Sequence, residues 1–251
     1  MPGDANRPVL ACVDGSSYTQ SVCEYAAWLA GALNASIRVL NVHEPQAQTP
    51  EGRPALQAVD HLRNHGVDDA EPLTIHGQFP RAIRQMAAES ALVVVGKRGL
   101  GGAGDRARLG SNVDEVVRRA EGPILLAPHL FLPPSRALAL LDADSEHRRA
   151  VNFLQSQPWA EALDLDAIVM SEDEAGEAKL SWARATLRPI GADVFALAAT
   201  DPNQALQAYR RTQGADLLVL SREVALSGQG EQLRHIEQDS LWAWRAPLLI
   251  C

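Results

Sequence analysis

Two short stretches of this 251-residue chain hold residue types that could handle an anion. The first is Asp14-Gly15-Ser16-Ser17. The second begins at Gly96-Lys97-Arg98-Gly99, passes Gly101, Gly102 and Gly104, and ends at Gly110-Ser111-Asn112. Glycines let backbone N–H groups approach a phosphate closely, and a helix starting behind them adds unpaired N–H groups and a positive dipole end. Lys97, Arg98, Arg106 and Arg108 place four bases in or beside the second stretch. The chemistry is that of a polyphosphate cradle, with Ser111 able to donate to a phosphate or to reach Mg²⁺. The plainer account is a Gly-rich surface loop with Ser111 or Asn112 as an ordinary helix N-cap. The common phosphate patterns do not apply: GxxxxGK(S/T) is absent, and Asp14-Gly15-Ser16-Ser17 stands where a dinucleotide GxGxxG would be expected.

The elements that must position these stretches follow from hydrophobic spacing. Residues 9–13 form an apolar run, and behind them Val22, Ala26, Leu29 and Leu33 share one helical face. Ser17 and Gln20 have the spacing of a capping box that would start this helix. Residues 36–42 read as a second strand, and 73–76 as a third after a Pro- and Gly-broken connection. Pro80 opens a helix through Ile83, Met86 and Ala87. Residues 92–95 are apolar without alternation, as in a strand covered on both faces. A helix from Ser111 or Asn112 buries Val113, Val116, Val117 and Ala120 and stops at Gly122-Pro123, before a closing strand at 124–127. This alternation predicts an α/β fold with an open parallel sheet, helices on both faces and right-handed crossovers. Ligands in such sheets bind beyond the carboxyl ends of the strands where strand order reverses, which selects the loops after the first and fourth strands.

The order then recurs. Residues 137–141 end at Asp142, 128 positions after Asp14; 217–220 repeat 92–95; and 247–250 repeat 123–126, 124 positions on. Asp201-Pro202 takes the place of the helix begun by Pro80. Pro133-Pro134 marks the join, so the expected domains are 1–132 and 133–251. Net charge is −8, which argues against a nucleic-acid partner. Residues 1–132 carry 14 acids and 12 bases, and the remainder 17 and 11, so an anion site belongs in the first half.

Without an apolar h-region or a run of about 20 apolar residues, the expectation is a soluble, cytoplasmic protein with no membrane association. Cys12, Cys23 and Cys251 form no CxxC pair and are too few for a disulfide framework; Cys12 and Cys251 read as small apolar residues. His61 and His65 have the spacing of a helical metal pair, but no third ligand stands nearby, so no metal site is assigned. Trp159, Trp182, Trp242 and Trp244 read as packing anchors.

Together these residues resemble the universal stress proteins: Asp14-Gly15-Ser16 at the end of strand one, Asn41-Val42-His43 at the end of strand two, Gly77 and Pro80 before the third helix, and Val94-Val95-Gly96-Lys97-Arg98-Gly99 with Gly110-Ser111 further on. ATP-binding members of that family carry G-x2-G-x9-G-(S/T), whose four places Gly96, Gly99, Gly110 and Ser111 would take. The likeness is clear over 8–128, and over 136–251 it lies in the order of elements.

The resemblance implies two tandem open parallel five-stranded sheets of the adenine nucleotide alpha hydrolase-like, Rossmann-like type. It implies an adenine held near Asp14 and the backbone of Val42, with Gly15 and Ser16 beside it. Ribose and phosphates would lie over Gly96, Lys97, Arg98 and Gly99 and over Gly110, Ser111 and Asn112. The cofactor would be ATP, with ADP and AMP as alternatives and Mg²⁺ as companion. Ten residues instead of nine separate Gly99 from Gly110, so the loop must bulge by one, which its extra glycines can absorb. In the second half Asp142 is kept, but Ala143-Asp144 replaces Gly15-Ser16, Ser221-Arg222-Glu223-Val224 replaces 96–99, and Arg234-His235 falls where Gly110-Ser111 would be. That half is expected to be structural or regulatory, the partner of the first in an intramolecular pseudo-dimer paired through 124–127 and 248–251.

Two functions stay open: an ATP-binding stress-response regulator acting on an unknown protein partner, with homodimerisation undecided, and a scaffold of the same fold that binds no nucleotide. An ATPase or adenylating enzyme ranks below both. No SGGxDS-like run follows strand one, no general base for water can be named, and no catalytic residue is assigned.

Overall fold

The computed structural model describes residues 7–44, 52–99, 111–119, 121–142, 147–170, 175–197, 209, 214–222, 225 and 246–251. By its internal contacts the chain divides into two compact units, Met1–Pro133 and Pro134–Cys251.

The first unit runs β1 (Val9–Cys12), α1 (Thr19–Leu33), β2 (Ile37–His43), α2 (Arg53–Asn64), β3 (Ala70–His76), α3 (Phe79–Ala87), β4 (Leu92–Gly96), α4 (Ser111–Arg119) and β5 (Ile124–Ala127). Its strands lie in the order β3-β2-β1-β4-β5, and the pairs are parallel. The apolar run at β1 is explained by its place at the centre: Val9, Leu10 and Ala11 are fully buried, as are Val94 of β4 and all of β5. Helices cover such strands on both sides, so polar alternation would bury unpaired groups.

Two local features differ from the sequence expectation. The connection between β2 and β3 carries α2: Gly52 caps it at φ 67° and Pro54 sits in its first turn. Both residues look like loop punctuation, yet Pro lacks an N–H where the first turn has no acceptor for one. The Ser17/Gln20 capping box does not form, and α1 starts at Thr19 with no side-chain cap. Asp14 turns the chain first, accepting from Ser16 N at 2.9 Å, and Gln20 instead reaches along the helix to Glu24 at 3.1 Å.

The second unit runs β6 (Arg136–Asp142), α5 (His147–Gln155), β7 (Asp164–Met170), α6 (Ala175–Leu187), β8 (Asp193–Leu197), β9 (Leu217–Leu220) and β10 (Leu248–Ile250), with 3₁₀ turns at Pro158–Ala162 and Arg188–Ile190. Its order, β8-β7-β6-β9-β10, matches the first unit strand for strand. The ladder repeats at the level of single bonds: Val93 N donates to Pro123 O and Leu218 N to Pro247 O, each at 3.1 Å. Likewise Lys97 N donates to Ala127 O at 2.9 Å and Arg222 N to Cys251 O at 2.8 Å.

Asp216 clips the amino edge of this unit, accepting from Ser135 N, Ser135 Oγ and Arg136 N at 2.7–2.9 Å. Trp159 is buried beside Phe153 and Trp182 is partly buried, while Trp242, Trp244, Asp201 and Pro202 lie outside the described residues. Burial pushes the Cys23 thiol up to about 12 and raises that of Cys12 further. Among the described residues no helix is long and apolar enough to cross a membrane.

Candidate functional site

In the first unit strand order reverses between β1 and β4, and the loops that leave these two strands meet there. Val13 N still donates to Leu40 O at 2.8 Å, and the buried Asn41 side chain donates to Val13 O at 2.9 Å, which holds the exit of β1. Asp14 then folds back through its bond from Ser16 N, Gly15 adopts φ 81°, and Gly15 N donates to Thr19 Oγ1 at 3.2 Å. The second oxygen of the Asp14 carboxylate faces Gly99: a methyl group there would lie 2.4 Å from Oδ2. At Gly96 a methyl group would meet Tyr18 Cβ at 2.7 Å and Arg98 O at 3.0 Å. Close approach therefore requires glycine at 96, while a side chain at 99 would have to push the Asp14 carboxylate aside.

Asp14, Gly15, Ser16, Gly96, Lys97, Arg98 and Gly99 thus converge at one end of the sheet. Val42 lies beyond Asn41 on β2, at the same carboxyl edge, opposite Ile75. Lys97 and Arg98 are 5% and 8% exposed, so their side chains are buried instead of standing in solvent. Ser111 opens α4 and Asn112 is exposed in its first turn. Gly110 lies outside the described residues, as do Gly101, Gly102, Gly104, Arg106 and Arg108, so the consequence of the ten-residue spacing falls outside them too.

Two residues were not expected at the site. Asn41 entered only as part of the family likeness, though a polar residue inside an apolar strand run was a signal. Tyr18 gave none. The base of its side chain packs on Gly96 and its ring stands edge-on to His129, centroids 5.5 Å apart. Burial raises its phenol above the ordinary value, and the nearby Arg98 charge offsets part of that rise.

The universal stress protein family model matches residues 5–128, almost the whole first unit. The chain belongs to the universal stress protein family through that unit. Universal stress protein Slr1230 of Synechocystis is 22% identical over 254 residues, covering 85% of this chain and 88% of that one. A crystal structure of a universal stress protein from Archaeoglobus fulgidus, 16% identical, covers 98% of this chain and 96% of its own with a TM-score of 0.69, a likeness of fold that includes both units. A universal stress protein solved in complex with cAMP is 30% identical over 48% of this chain and 95% of its own, with a TM-score of 0.41.

At the matching place in the second unit, between β6 and β9, Ser221 occupies the position of Gly96 and is fully buried. Of Asp142 only the backbone is described, and Ala143, Asp144, Glu223, Val224, Arg234 and His235 lie outside the described residues.

Proposed function

We propose that this universal stress protein is an ATP-binding regulator that holds nucleotide in its first unit and none in its second. The observation that carries the reading is the Asp14 carboxylate set against Gly99 at the reversal of strand order. Asp14 and the Val42 backbone would hold the adenosine side, and the Gly96–Gly99 backbone with the first turn of α4 would hold the phosphates. Lys97 and Arg98 suit this role, because buried charge is screened by salt less than charge in solvent. Bound nucleotide would supply the signal, and Mg²⁺ would accompany the phosphates. No hydrolytic step is assigned to any residue. A partner protein would read the occupied state.

Isothermal titration of the nucleotide-stripped chain with Mg-ATP tests the reading. One site per chain, weakened by Gly110→Asp, is the expected result. Absence of heat and of a thermal shift at millimolar ATP overturns it and leaves a scaffold, the reading that the additional loop residue favours.

A further inference from the structure

Tyr18, Ser21 and Tyr25 form a stripe along α1, at spacings of three and four residues that put side chains on one face. All three meet the segment that leads from β5 toward the second unit, residues 128–133. The Tyr18 ring stands against His129. The Ser21 hydroxyl donates to Pro128 O at 2.5 Å. The Tyr25 hydroxyl donates to Leu132 O at 3.2 Å and accepts from Leu132 N at 3.4 Å, while its ring meets Phe131 edge-on at 4.7 Å. Tyr25 is fully buried, so it holds the segment from the protein side.

The same stripe begins at the candidate site. Tyr18 Cβ is in contact with Gly96, and the backbone beyond Gly96 is tied to the end of β5, the residue before the segment, through Lys97 N to Ala127 O at 2.9 Å. Burial of its leucines does little to hold the segment: Leu130 is 63% and Leu132 61% exposed. Its place therefore depends on a few directed contacts from Tyr18 and α1.

We propose that the Tyr18-Ser21-Tyr25 stripe makes the position of residues 128–133 depend on what occupies the Gly96–Gly99 cradle. This rests on the nucleotide reading above. A ligand that shifts the cradle backbone must displace Tyr18, because no space separates the two, and displacement of Tyr18 changes the contacts of α1 with the segment. The segment is the covalent route from the nucleotide-binding unit to the other, so its position is a readout available to the rest of the chain.

Hydrogen exchange of the full chain with and without Mg-ATP, run beside the titration, tests this. Exchange at 129–132 should change about tenfold on binding, within the roughly 5–150-fold range of ordinary couplings. Tyr25→Phe should bind Mg-ATP with unchanged Kd while the Leu132 amide loses its dependence on ATP; Ser21→Ala serves the same purpose if Tyr25→Phe does not fold. Titration heat with unchanged exchange at 129–132 overturns this inference and leaves the nucleotide reading standing. Full ATP dependence in both variants also overturns it. No titration heat overturns both.

Discussion

The two units share a scaffold and differ at its ends. Strand order and the spacing of ladder bonds are the same, with Leu10 and Leu138 buried at equivalent places in the central strands. At the carboxyl end the first unit has Gly96, where a side chain would strike Tyr18, and the second has Ser221, whose side chain is accommodated. At the amino end the relation reverses. Ala91 N donates to Pro8 O and Asp216 N to Arg136 O, but only Asp216 adds a carboxylate that clips the neighbouring strand. A parallel sheet asks for apolar runs, and both units supply them. A ligand cradle also asks for glycine where backbones meet, and at the Gly96 position the second unit has dropped that requirement.

The largest effect tests the shared part. Leu10→Ala and Leu138→Ala should each cost about 2–5 kcal/mol in denaturant unfolding; a much smaller cost for one of them would break the equivalence of the two cores. Next is Gly96→Ala, expected to cost about 1–3 kcal/mol through overpacking on Tyr18. Ser221→Ala should cost about 1 kcal/mol or less, because the Cβ is already present.

At the sites themselves, Asp14→Ala should weaken Mg-ATP binding about tenfold or more by titration, and Asp142→Ala should leave it unchanged. A loss from Asp142→Ala would place nucleotide in the second unit as well.

Cys23 offers a comparison through pH. The thiol titrates near 9.0 when unfolded and at about 12 in the fold, so its contribution is complete below pH 9 and is lost as pH rises toward 12. The loss should reach about 1.4 kcal/mol by pH 10. Val151, 128 positions on from Cys23 and fully buried, has no proton to lose. Denaturant midpoints at pH 8 and 10 for the native chain and Cys23→Ala should diverge by this amount. The smallest effect is Asp114→Ala, which removes a helical ion pair with Arg118 worth about 0.3–0.5 kcal/mol.

Much of the fold was legible in the sequence. The strand at 124–127 coincides with β5, that at 217–220 with β9, and the others lie within three residues of their ends. The third helix was marked by Pro80, but α2 was hidden behind Gly52 and Pro54, which serve a helix start and a loop equally well. At the site, the rule of strand order selected the two loops to search, and the approach of Asp14 to Gly99 came from the structure. The start of α1 did not follow, since a capping box is a local preference and the Asp14 turn outcompetes it.

Periodicity and spacing by themselves determined the repeated α/β order and the two loops to search, because apolar runs and glycine positions are properties of the chain alone. Only the tertiary structure decided that Lys97 and Arg98 are buried, that Tyr18 closes on Gly96, and that α1 grips the segment after β5. These contacts join residues up to 107 positions apart, and no local preference encodes such a distance.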